Sequence, residues 1–220
     1  AAARFARRGF VTAAVERTDF RSPVLVGEMV DVDGSVRSVG RSSVRVRVDL
    51  VAENLLTGER RLTTQGEFTM VATDRKTNKT PLPPVPEYKP DPVGITHNVE
   101  LVFPGDTDHR GLLFGGRALE LMEKAAFVAA SRHARCQVVM AALKEINFTG
   151  PIHVGELVEL KARISSVGRS SMRVDVTLWA EDLTTGERRQ ATQGQFVMVA
   201  LGDDGRPTLA PPMQNKGTAK

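Results

Sequence analysis

Between Val44 and Leu50 apolar and polar residues alternate, with Val44, Val46, Val48 and Leu50 set against Arg45, Arg47 and Asp49. The alternation returns at Met172, Val174, Val176 and Leu178, set against Arg173, Asp175 and Thr177. A period of two predicts antiparallel strands with one face on a core and the other in water. Gly40 and Gly168 stand where hairpin turns would join these strands to the ones before, and 56–59 and 184–187 supply the next turns. A different pattern runs from Ala118 to about Ala134. On a helical wheel Leu119, Met122, Ala125, Ala126, Phe127, Ala129 and Ala130 fill a wide arc, while Arg117, Glu120, Lys124 and Ser131 occupy a narrow one. This predicts a mostly buried helix wrapped by a sheet. A short edge strand is expected before it, from Val99 to Phe103.

The chain repeats itself. Val39–Ser43 recurs at Val167–Ser171, Thr57–Arg61 at Thr185–Arg189, and Thr64–Gly66 at Thr192–Gly194, always 128 residues apart. One fixed offset over so long a stretch means two copies of one folded unit. The same shift lays Ala1–Arg8 on Ala129–Cys136, the end of the helical stretch. The first copy is therefore expected to lack its N-terminal strand and helix, which would leave Val44, Val46, Val48 and Leu50 on an uncovered face. The expected organisation is α+β: a first domain at 1–73, a Pro-rich linker at 74–95, a second domain at 96–210 and a tail at 211–220. Six prolines between 81 and 92 make that linker stiff and extended.

Composition narrows the function. Across 220 residues, 41% apolar and 25% charged, no apolar run approaches the roughly 20 residues that cross a bilayer. Net charge is +4 with both signs mixed and only 5% aromatic residues, which argues against nucleic acid and suits a small ligand with a few phosphates. A single cysteine, Cys136, permits no intrachain disulfide and fits a reducing, cytoplasmic setting. The four histidines have no metal-ligand spacing, and no phosphate-binding glycine loop or Gly-x-Ser-x-Gly elbow occurs.

Candidate chemistry gathers around the helix. Glu123 falls within the apolar arc, and a carboxylate buried there must be neutralised, paired or functional. An amphipathic helix can equally tolerate a glutamate near its polar edge. Gly115-Gly116 stands where the helix begins, so that backbone N–H groups and the helix dipole could hold a developing oxyanion. Two glycines there can also be a plain turn. Arg41 and Arg169, each followed by two serines (Ser170 and Ser171 after Arg169), would suit a phosphate, or serve as solvent-exposed turn arginines.

Phe114-Gly115-Gly116, then Leu121-Met122-Glu123-Lys124-Ala125-Ala126, Glu145-Ile146-Asn147-Phe148 and Val154-Gly155-Glu156 resemble, in that order, the hot-dog acyl-CoA thioesterases. Val15–Phe20 and Glu53–Gly58 look like the first domain of the tandem, brain-type acyl-CoA hydrolases. The resemblance implies tandem hot-dog domains, each an antiparallel sheet wrapped around a long helix. It implies hydrolysis of acyl-CoA to fatty acid and CoA, no cofactor beyond the CoA of the substrate, and homo-oligomers such as a trimer of tandem chains. In the same way it implies Glu123 as the helix acid, usually Asp, and Gly116 as the oxyanion donor. Gly115, Asn147, Arg41, Arg169, Ser170 and Ser171 are expected to bind substrate. A hot-dog dehydratase, or a non-catalytic acyl-CoA sensor on the same fold, are the alternatives.

Overall fold

The computed structural model describes residues 1–73, 81–85, 87 and 94–213. The chain forms two compact units, one of residues 1–90 with the Asp182–Glu187 turn, the other of the remainder. The first holds α1 (Ala2–Ala6), β1 (Phe10–Phe20), β2 (Met29–Val39), β3 (Ser43–Glu53) and β4 (Arg60–Ala72), its strands antiparallel in the order β1-β4-β3-β2. The second holds β5 (Thr96–Leu101), a 3-10 turn at Pro104–Asp106, α2 (Gly115–Ala134), β6 (Gln137–Phe148), β7 (Leu157–Val167), β8 (Ser171–Glu181) and β9 (Arg188–Leu201), in the order β5-β7-β8-β9-β6. The 128-residue shift lays β1 to β4 on β6 to β9. It also lays α1 on the last turn of α2, and both helices end on a left-handed arginine, Arg7 (φ 54°) and Arg135 (φ 53°). The edge strand thus spans Thr96–Leu101 rather than Val99–Phe103.

In the second unit α2 lays Ala118, Leu121, Met122, Ala125, Ala126, Ala129 and Ala130 on Val158, Leu160 and Ala162 of β7, Val174, Val176 and Leu178 of β8, and Phe196 and Met198 of β9. Alanines at three- and four-residue spacing let the helix axis approach the sheet closely. The buried stripe differs from the expected arc: Leu121 and Ala118 belong to it, while Leu119 is half-buried and Phe127 exposed. The sheet covers one side of the helix only.

The first unit buries Val44 and Val46 with Ala2 and Leu82, so these two valines are not on an uncovered face. Exposure falls elsewhere. Val30 and Val32 are 40% and 64% exposed, whereas their counterparts Val158 and Leu160, beneath α2, are each 1% exposed. Leu82 also corrects the reading of 74–95 as linker throughout. Pro81, Leu82, Pro83 and Pro84 pack back on the first unit and, with Val39, Gly40 and Arg41, line an open cavity of about 700 Å³. The rest of that stretch, apart from 85, 87 and 94–95, lies outside the described residues. Ala210 likewise packs on the second core and donates its N–H to the Arg169 carbonyl at 2.9 Å.

Val154-Gly155-Glu156, one of the motifs of the resemblance, is a structural clamp. Gly155 takes φ 83°, a left-handed conformation that favours glycine. It brings Glu156 under Arg189, which reaches both carboxylate oxygens at 2.6 and 2.7 Å and the Pro151 carbonyl at 2.6 Å. Gly27, Glu28, Arg61 and the Pro23 carbonyl repeat the arrangement 128 residues earlier. Burial pushes the Glu156 carboxyl up, but the Arg189 hydrogen bonds, the His153 N–H and the Arg189 charge outweigh it, and the pKa is held below the ordinary glutamate value. A depressed carboxyl stabilises the fold above its unfolded pKa and stops doing so as pH falls through its folded value. Glu156→Gln should therefore cost about 1–3 kcal/mol near pH 7, the usual range for spoiling a hydrogen bond to a charged group. Thermal melts should show the gap to the parent closing toward about pH 3, below the ordinary glutamate pKa. An equal gap at both pH values would show that the charge contributes nothing.

Candidate functional site

Gly115 and Gly116 are the first two residues of α2, not a turn ahead of it, and the N-cap residue Phe114 supplies no side-chain cap. Ala118 is the first to close an intrahelical bond, onto the Phe114 carbonyl at 3.0 Å. The N–H groups of Gly115, Gly116 and Arg117 precede it and point out of the positive end of the helix dipole. Neither glycine has a positive φ. A Cβ built on Gly116 would meet nothing within 4 Å, and one on Gly115 would lie in ordinary contact, 3.7 Å from Phe148 Cζ. Folding of this unit needs glycine at neither position. What the missing side chains leave is unobstructed access to backbone donors.

The loop before the helix is tied down by residues that sequence reasoning passed over. Asp106 takes the Arg117 Nε at 3.1 Å, and its carbonyl takes the Phe114 N–H at 3.0 Å. Leu113 donates to the Ile152 carbonyl at 2.8 Å. Asp108 accepts the N–H groups of Leu112 and Arg110 at 3.0 and 2.9 Å. The Leu112 bond is the main cause that holds the Asp108 carboxyl below the usual aspartate range, with the Arg110 contacts adding to it against burial. Arg117 also meets Glu120 at 2.8 Å and Glu100 at 3.5 Å, so one guanidinium fastens the helix start to the loop and to β5. The Pro-Gly-Asp-Thr-Asp run at 104–108 was the available signal, since aspartates in such runs accept nearby backbone N–H groups.

Glu123 is exposed, which agrees with the reading that places it near the polar edge of the helix, and it shares its side of α2 with Phe127, itself 40% exposed. Lys124 pairs with Glu120 at 2.7 Å, leaving Glu123 outside that pair as the spacing suggested. Seven residues of helix separate Glu123 from Gly116, two turns on one side and about 10 Å of rise.

A family model for the thioesterase superfamily matches residues 1–59 and 110–187. The chain belongs to the thioesterase superfamily. A solved acyl-CoA hydrolase from Agrobacterium tumefaciens is 42% identical, with a TM-score of 0.86 over 94% of this chain and 83% of that one. A solved hexameric acyl-CoA thioesterase is 34% identical, with a TM-score of 0.54 over 57% of this chain and 80% of its own. The human cytosolic acyl coenzyme A thioester hydrolase is 27% identical over 93% of this chain. The chain spans 66% of the length of that human protein.

Within this thioesterase-superfamily chain the remaining expected site residues do not all converge. Alternation along β6 puts Asn147 on the sheet face away from α2, where it lines a polar cavity of about 490 Å³ with Lys161, Arg163, Asp175 and Gln193. Its neighbour Phe148 faces the helix start instead. Arg169 is exposed in the tight turn closed by the Gly168 N–H and the Ser171 carbonyl at 2.7 Å, with Ser170 and Ser171 half-buried behind it. That turn is near the other end of α2: Ala210 bonds Arg169, and the next residue, Pro211, takes the ring of His133 in the last helical turn at 2.7 Å. A 20-residue helix is about 30 Å long, so within this unit Arg169 and Gly116 are roughly a helix length apart. Arg41 borders the proline-walled cavity of the first unit. Among the described residues, no group of three His, Cys, Asp or Glu side chains is placed to hold a metal ion, and no helix is long and apolar enough to cross a membrane.

Because Gly116 has open space and an ordinary φ, Gly116→Ala should leave the melting temperature unchanged or raise it. The gain should stay within about 1 kcal/mol, the range in which alanine outperforms glycine in a helix. A large loss of stability would show that the fold itself requires the glycine.

Proposed function

We propose that this protein hydrolyses acyl-CoA thioesters, releasing CoA and a free fatty acid. The observation that carries this reading is the glycine pair at the start of α2, bare where folding does not ask for glycine, in a chain whose relatives are named acyl-CoA hydrolases. Water attacks the thioester carbonyl carbon while the Glu123 carboxylate takes its proton. The carbonyl oxygen gathers negative charge against the N–H of Gly116, with Gly115 leaving room for the acyl group. The tetrahedral intermediate then collapses with cleavage of the C–S bond. The thiolate takes the proton from Glu123, which returns to its charged form. The reaction consumes one water and needs no cofactor. Arg169 with Ser170 and Ser171, and Arg41 in the first unit, would hold CoA phosphates.

The carboxylate and the donor of one helix lie too far apart to act on the same carbonyl. Each site is then built from Glu123 of one domain and the helix start of another copy of the fold. A homo-oligomer follows from that requirement. A trimer of tandem chains would place six copies of the fold together, and two solved relatives are named hexameric. A cytoplasmic setting agrees with the cytosolic relatives and the lone Cys136. A dehydratase, or an acyl-CoA sensor without turnover, remains the alternative, and acyl-CoA binding with no thiol released would favour the sensor.

Thiol release from acyl-CoA, followed with a thiol reagent, is the direct test. Glu123→Gln should lower kcat by at least ~100-fold with little change in KM, the scale of general-base assistance. Near-normal turnover in that variant would remove Glu123 from the mechanism. Arg169→Ala should raise KM for acyl-CoA, and much less for a thioester without the nucleotide. Equal losses on both substrates would point to damaged folding rather than to a phosphate contact.

A further inference from the structure

Phe148 combines three observations that the hydrolase reading does not use. It is the last residue of β6 and is held in register opposite Thr192. Thr149, next in the chain, is pinned twice, through its N–H to the Ala191 carbonyl and its Oγ1 to the Gln190 carbonyl, both at 2.9 Å. The backbone that carries the ring is therefore fixed. The ring edge faces the helix start: a Cβ added at Gly115 would lie 3.7 Å from Cζ and 4.0 Å from Cε1. Yet the side chain is 54% exposed, as is that of the N-cap residue Phe114. A large aromatic ring held half in solvent beside bare backbone donors is poised to touch whatever those donors receive.

We propose that Phe148 sets the acyl class this site accepts, favouring straight-chain acyl groups over those branched at the carbon next to the carbonyl. The inference rests on the hydrolase reading above. A carbonyl oxygen seated on the Gly115 and Gly116 N–H groups brings its α-carbon alongside Gly115, in the methyl-sized space that the edge of the Phe148 ring faces. A linear acyl chain presents a methylene there and can run along the exposed face of the ring. An α-methyl branch competes with the ring for the same space, and the pinned end of β6 keeps the backbone that carries the ring from giving way. A single methyl or methylene in an apolar pocket changes specificity by roughly 10–200-fold.

The test compares kcat/KM for butyryl-CoA and isobutyryl-CoA in the parent protein, Phe148→Ala and Phe148→Leu. The parent should favour butyryl-CoA by at least ~10-fold, the low end of that range. Phe148→Ala should cut the preference by about tenfold, mainly through a gain on isobutyryl-CoA, with leucine intermediate. If the alanine variant does not fold, the leucine variant carries the same comparison. Gly115→Ala, which adds a methyl beside the ring, should sharpen the preference. A merely structural role for Phe148 would lower both substrates in parallel. Hydrolysis with an unchanged substrate ratio in the variants overturns the inference, whereas a folded parent that hydrolyses neither thioester overturns the reading beneath it.

Discussion

The close approach of an alanine-rich helix face to a curved sheet is the contact on which the second unit depends. Ala125, Ala126 and Ala130 are wholly buried, and opposite them Ala162, Val174 and Val176 present side chains short enough to let the backbones draw together. Larger residues on the helix would hold it off the sheet, and the pinned loop at 104–114 could then not meet its first turn. The position of Gly115 and Gly116 is a consequence of that packing. Asp106 and Arg117 fix the last few ångströms, but only because the helix axis is already set. The glycines, the loop and the end of β6 form one arrangement referred to one buried face.

Much of this was legible in the sequence because the repeat doubles every signal. Strands and hairpins each occur twice at one spacing, so each element of one copy supports its counterpart in the other. The wheel left Glu123 open between a buried and a polar-edge position for a definite reason. Helical periodicity divides a helix into apolar and polar sides, and Leu119 and Phe127 entered the apolar count on composition alone. The sheet covers only the side that carries Leu121 and Met122, and Glu123 with Phe127 lies outside it. A wheel cannot distinguish an apolar residue meant for its own core from one left for another surface. Phe148 was missed in the same way. It was read as half of an Asn-Phe motif with Asn147 as the working residue, although alternation along a strand sends the two to opposite faces.

The clamps show how conserved-looking motifs can carry structure rather than chemistry. Val-Gly-Glu resembled part of a catalytic signature, yet in both units its glutamate holds an arginine and its glycine takes a left-handed turn. The charge pair stiffens the entry to β2 and to β7, the strands that follow. The linker prolines belong to the same category. Leu82 plugs the first core from within a segment whose composition suggested a spacer, since proline content reports stiffness and not whether a neighbouring apolar side chain finds a core.

Two features bear on the proposal that another copy of the fold completes the site. The first is geometric: in the proposed mechanism Glu123 and Gly116 act on one carbonyl, and they are about 10 Å apart along their own helix. The second is at the sheet edges. In each unit the strand after the helix, β1 or β6, is an edge strand, and an edge presents unpaired N–H and C=O groups over its length. These edges also expose apolar side chains in matching register: Val11, Val15 and Phe20 on one, Val139, Leu143 and Phe148 on the other. Proteins usually blunt such edges with charge, proline or a covering segment. Here the same three positions stay apolar in both copies, at 11 to 12 residues of strand length. Glu16, Arg17 and Asp19 on β1, Lys144 and Glu145 on β6, and two register shifts in each strand blunt these edges without covering those apolar positions.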